Sequence, residues 1–112
     1  MSYPYDMSQA REIREMVRKI SEGFAPDKII LFGSHARGDA KEDSDVDLLV
    51  LFSELDNPRR RAIELYVALA GSVLSKDIVV STTQRFERYR NVVNTVYWPA
   101  AREGKVLYEH PA

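Results

Sequence analysis

At 112 residues, with 45% hydrophobic and 29% charged side chains, the chain has the balance of one folded domain rather than a disordered segment. Its 16 basic and 17 acidic side chains give a net charge of −1, which offers a phosphate backbone no broad attraction and argues against dedicated nucleic-acid binding. The absence of cysteine excludes disulfides, zinc–thiolate sites and thiol nucleophiles.

Residues 1–112 are read as a single domain. Residues Met1 to Asp6 lack a basic stretch followed by an apolar one, and no apolar run approaches a membrane span, so a cytoplasmic protein is expected. After Ser8, a candidate N-cap, apolar residues recur at Ile13, Met16, Val17, Ile20 and Phe24, which predicts an amphipathic helix ending near Gly23. Pro26 and Asp27 punctuate, and Lys28 to Phe32 read as a buried strand leading into Gly33-Ser34-His35-Ala36-Arg37-Gly38.

Asp45 to Phe52 reads as a second strand, polar at its start and apolar beyond. Asp56-Asn57-Pro58 signals a helix start, and Ile63, Tyr66, Val67, Ala70 and Leu74 fall on one helical face. A helix of that length suits a crossover between parallel strands. Asp77 to Ser81 is the next strand, again opened by a carboxylate. Phe86, Tyr89, Val92, Val93, Val96 and Tyr97 suggest helical turns broken at Pro99, before Gly104 and a short last strand over Val106-Leu107-Tyr108.

Chemistry concentrates at the glycine segment and the acidic strand starts. Side chains alternate along a strand, so Asp45 and Asp47 share a face. Carboxylates that close repel one another, and a Mg²⁺ ion between them relieves the repulsion. If the crossover returns Asp77 to the same edge, three carboxylates suffice for two metals about 4 Å apart, one activating a hydroxyl and one steadying a triphosphate. Gly33 permits a sharp turn, after which the Ser34 hydroxyl and the following amides face phosphate oxygens at a helix start, with Arg37 as a further contact. The site is therefore expected to bind a nucleoside triphosphate with divalent metal.

Two other motifs come close and fail. Gly33 and Gly38 have Walker A spacing, but Asp39 and Ala40 stand where that loop needs Lys and Ser or Thr. Asp43, Asp45, Asp47 and Glu54 match acidic positions of an EF-hand, yet Leu48 replaces its glycine and Leu49 to Phe52 continue as strand.

Together Gly33-Ser34, Ala36, Arg37, Gly38, Ser44-Asp45, Asp47-Leu48 and Asp77 resemble the nucleotidyltransferase superfamily that includes DNA polymerase beta, and most of all its small prokaryotic branch, the minimal nucleotidyltransferases (MNT). Arg88-Tyr89-Arg90, Glu103-Gly104 and Val106-Leu107-Tyr108 resemble that branch's ending. The resemblance implies an α/β (α+β) fold, a small mixed β-sheet flanked by helices. It places Gly33 and Ser34 at the triphosphate, Asp45 and Asp47 on metal, and Asp77 as third ligand and proton acceptor. It further implies transfer of a nucleoside monophosphate, AMP from ATP, to a hydroxyl with release of pyrophosphate. In that branch the protein resembles the antitoxin of a two-gene module whose partner, a HEPN ribonuclease toxin, is adenylylated on tyrosine. Transfer to a small molecule such as an aminoglycoside, and a non-catalytic binding antitoxin, are the alternatives.

Other residues leave their roles open. Asp39, Glu42 and Asp43 read as a solvated loop, and His35 as structural, exposed or touching substrate. Arg59-Arg60-Arg61 opposes the dipole of its helix start, so the run is merely exposed or meets a partner. Tyr97-Trp98-Pro99 fits core and interface equally.

Overall fold

A computed structural model describes residues 7–111; the stretch Met1 to Asp6, on which the expectation of a cytoplasmic protein partly rests, lies outside the described residues. Helix α1 (Met7–Phe24) starts before Ser8, which therefore lies inside the helix and does not cap it. Ile13, Met16, Val17 and Ile20 are buried along one face, and Arg18 on the solvent side is held by Glu15 and Glu22. Ala25 takes a left-handed conformation (φ 49°), where its amide still donates to Ser21 O at 3.2 Å and reverses the chain into β1 (Lys28–Phe32).

The order continues α2 (Ser34–Arg37), β2 (Val46–Phe52), α3 (Pro58–Ala68), β3 (Lys76–Thr82), α4 (Thr83–Tyr89), α5 (Tyr97–Glu103) and β4 (Lys105–Glu109). The sheet runs β3-β2-β1-β4. β1 is antiparallel to β2 and β4, whereas β2 and β3 are parallel across the α3 crossover. This is the small mixed sheet flanked by helices that the sequence implied. Among the described residues no helix is long and apolar enough to cross a membrane.

Helices cover both faces. On one, Ile29, Leu31, Leu48, Val50 and Ile78 pack against α1 and against Leu65 and Leu69 of α3. On the other, Ile30, Leu49 and Leu51 meet Phe86 of α4 with Tyr97 and Ala100 of α5. β2 is thus buried on both sides, which is why it reads as a nearly unbroken apolar run. Each fully buried leucine or isoleucine there contributes about 1.5–3 kcal/mol. Asp47 interrupts that run, next to the strand start.

Three local expectations need correction. The stripe Ile63, Tyr66, Val67 and Ala70 faces outward, with Ile63 56% and Val67 70% exposed. The buried stripe is Leu65 and Leu69, flanked by Ala62 and Ala68, whose small side chains let the helix approach the sheet. Pro99 does not break a helix but sits in the first turn of α5, where its missing amide hydrogen removes no intrahelical bond. Asp45 lies just ahead of β2, not inside it.

Side chains left open also find places. Arg61 lies over the rings of Phe24 and Phe52, at 5.8 and 4.9 Å from their centroids, so this member of the arginine run ties α3 to α1 and β2. Tyr97 is core: its hydroxyl pairs with Ser81 Oγ at 2.8 Å and its ring stacks on Tyr89. Trp98 is half-buried under the Arg102 guanidinium, 3.5 Å from its ring centroid.

Candidate active site

The antiparallel register sets Phe32 opposite Asp47, so the turn leaving β1 arrives against the Asp47 side chain. Gly33 occupies that turn with φ 75°, a region that disfavours L side chains. A Cβ there would clash with Asp47 Oδ2 and come within 3.2 Å of Asp47 Cγ. Glycine is required twice over, by the dihedral and by the carboxylate. Its carbonyl then accepts the amides of Ala36 (3.1 Å) and Arg37 (3.0 Å), closing the single turn of α2.

The parallel pairing of β2 and β3 places Asp47 opposite Asp77. Partners in a parallel ladder project to the same face, so both carboxylates share the α4–α5 side with Leu49 and Val79. Asp45, two residues earlier and exposed, adds its charge. Burial, then the charges of Asp77 and Asp45, push the Asp47 carboxyl above its ordinary value, while His35 and Arg37 pull the other way.

α2 anchors the loop that carries Asp45. His35 is buried, with Nε2 3.2 Å from Ser44 O, so it links the glycine turn to the acidic segment. This assigns His35 a structural contact among the roles the sequence left open. Ser44 closes a tight turn, its Oγ accepting from Lys41 N at 2.7 Å and its amide donating to Lys41 O at 3.1 Å. Ser34 is the first residue of α2, and the cap position belongs to Gly33. Arg37 is exposed and held by carboxylates, with Nε 3.4 Å from Asp39 Oδ2 and Nη1 3.2 Å from Glu103 Oε1.

The donor set suits a hard divalent cation: carboxylate oxygens only, two on neighbouring strands and one just ahead of β2. The fit is incomplete in detail, since among the described residues no three His, Cys, Asp or Glu side chains converge closely enough to hold an ion. A cavity of about 830 Å³ lies elsewhere, between α1 and β4 (Ile13, Val17, Leu31, Val106), and includes none of the three aspartates.

Residues 10–99 match the family model described as a nucleotidyltransferase domain. The chain belongs to the nucleotidyltransferase family. A candidate protein adenylyltransferase of Methanocaldococcus jannaschii is 28% identical over 108 residues, 91% of this chain and 100% of its own length. The protein adenylyltransferase MntA of Thermococcus cleftensis is 53% identical over 38 residues, 34% of this chain and 38% of its own. Among solved structures, a candidate minimal nucleotidyltransferase aligns with TM-score 0.60 and 31% identity over 90% of this chain and 95% of that one. A toxin–antitoxin structure with AMP-PNP aligns with TM-score 0.50 and 25% identity, over 86% of this chain and 73% of that one. This protein is thus an enzyme of the nucleotidyltransferase class, of the minimal branch its motifs resemble.

Sequence reasoning missed one residue beside these aspartates. Tyr66 of α3 has its hydroxyl 3.5 Å from Asp77 Oδ1 and 2.8 Å from Ile78 N. The sequence places it only on one helical face with Ile63 and Val67; a tyrosine among aliphatic residues, needing a partner for its hydroxyl, is the available signal.

Proposed function

We propose that this nucleotidyltransferase moves AMP from ATP onto a hydroxyl of a separate protein, a HEPN-domain toxin, with tyrosine as the acceptor, and so serves as a cytoplasmic antitoxin. The observation that carries the reading is the register that sets Asp47 opposite Asp77 beside the Gly33 turn. Relatives named as protein adenylyltransferases support a protein acceptor, and the toxin–antitoxin neighbour with AMP-PNP supports an adenine nucleotide and a toxin partner.

Asp45, Asp47 and Asp77 would hold Mg²⁺, two ions in the full site, which supply positive charge to the triphosphate and acidify the attacking hydroxyl. The turn at Gly33 and the Ser34 hydroxyl cradle phosphate oxygens. Arg37 reaches the triphosphate by exchanging Glu103 and Asp39 for phosphate. The acceptor oxygen bonds to the α-phosphorus, the bond from that phosphorus to the bridging β-oxygen breaks, and pyrophosphate leaves with its electron pair. Asp77, exposed on the edge strand β3, accepts the hydroxyl proton.

Intact mass spectrometry of the HEPN-domain partner after incubation with the enzyme, ATP and Mg²⁺ tests the reading. One added AMP on the partner, absent with EDTA, is the expected result. An unmodified partner in a mixture where the complex forms would leave masking of the toxin as the function.

A further inference from the structure

β3 is an edge strand, so alternate amides along it point away from β2 and need partners outside the ladder. Ile78 carries one of them, and it donates to the Tyr66 hydroxyl oxygen at 2.8 Å. A phenol that accepts from an amide still has its own proton to give. Asp77 Oδ1 lies 3.5 Å from that hydroxyl, at the outer limit of a hydrogen bond. Tyr66 belongs to α3, which packs on the sheet face opposite the carboxylates, yet its ring reaches round the edge to meet Asp77 and stays 39% exposed.

Asp77 is itself exposed, and a free aspartate at a strand edge distributes itself among staggered rotamers. A hydroxyl fixed by the Ile78 amide narrows that choice. We propose that Tyr66 is a positioning residue for Asp77, holding its carboxylate at the sheet edge within reach of Asp47. The inference rests on the reading of these aspartates as the divalent-cation site.

The test is a titration of the whole chain with Mn²⁺ in the presence of AMP-PNP, following free Mn²⁺ by its paramagnetic resonance signal. Wild type, Tyr66→Phe, Asp77→Asn and the double variant complete a cycle. Tyr66→Phe keeps the ring and its packing, so its melting temperature should stay near wild type. It should bind Mn²⁺ about 5-fold more weakly, the scale of one hydrogen bond to an exposed charged group. In the Asp77→Asn background the same change should have no further effect. Equal Mn²⁺ affinity in wild type and Tyr66→Phe would overturn the inference alone, as would a Tyr66→Phe effect that persists undiminished without Asp77. A wild type that holds no Mn²⁺ would overturn the divalent reading and the inference with it.

Discussion

The Asp47 carboxylate occupies the volume that a side chain at Gly33 would need. The Gly33 turn and the strand carrying Asp47 are therefore built against each other, and a side chain at Gly33 must displace the carboxylate.

Replacing Gly33 by alanine should show this. The substitution adds a left-handed strain and drives a methyl group into Asp47, so the fold should lose about 1–3 kcal/mol. Displacing the carboxylate should lower nucleotidyl transfer at least ~100-fold. Thermal melting and turnover, measured on the same preparation, check both; full activity in Gly33→Ala would mean that the position of Asp47 is not critical.

Asp77→Asn should separate turnover from binding. Asp45 and Asp47 remain to escort the triphosphate, while the proton acceptor is gone, so transfer should fall about 10²–10⁴-fold with ATP affinity changed far less. Asp47→Asn should damage both. Calorimetric ATP titrations beside turnover rates distinguish the two patterns, and near-normal transfer by Asp77→Asn would remove it from the proton step.

Asp47→Asn should nevertheless melt higher than wild type at neutral pH and without divalent ions. The folded state holds this carboxyl above its ordinary value, so ionised Asp47 opposes folding. Between the unfolded and the folded values the native state binds more protons than the unfolded one, and stability rises as pH falls through that window. The asparagine advantage, a few degrees by the usual scale of single stabilising changes, should shrink on acidification and vanish below the unfolded value. Melting curves from pH 7 to pH 3 follow it; an advantage independent of pH would point to packing instead of charge.

Asp27 should behave in the opposite sense. Its carboxylate accepts from Ser53 Oγ and Thr83 Oγ1, both at 2.7 Å, joining the start of β1 to the end of β2 and the start of α4. These bonds, that to Thr83 first, hold its carboxyl below the ordinary value. The stability they supply is present above the unfolded value and is lost as pH falls through the folded one. Asp27→Ala should cost about 1–2 kcal/mol at pH 7, allowing for solvent screening, and much less in acid. Denaturant titrations at neutral and acidic pH measure the difference, and an equal cost at both would refute the charge argument.

The strands, and the facing of Asp47 and Asp77, were legible because side chains along a strand obey a period of two. Asp47 breaks an otherwise apolar run with Asp45 just ahead of it, and Asp77 opens a second run whose parallel return follows from an intervening helix. The glycine at 33 announced the turn. What stayed hidden depends on distance along the chain. The Arg37 partner Glu103 lies 66 residues away, and nothing local to Arg37 reveals it. On α3 two stripes satisfy the helical period, and only the packed sheet chooses Leu65 and Leu69 over Ile63, Tyr66 and Val67. That choice sends Tyr66 to the sheet edge, so its link to Asp77 was invisible in the same measure.

The position of β4 has a practical side. It pairs with β1 at the sheet edge away from β3, and Glu109 stands opposite Lys28, the end of β1 remote from Gly33. The His110 amide pins the exit to Asp27 O at 2.8 Å. Two strand spacings across the sheet to Asp47 and three to Asp77, about 10 and 14 Å, and four residues along it, about 13 Å, separate that exit from the acidic pair. A fluorophore or surface tether joined after Pro111 would stand clear of Asp47 and Asp77.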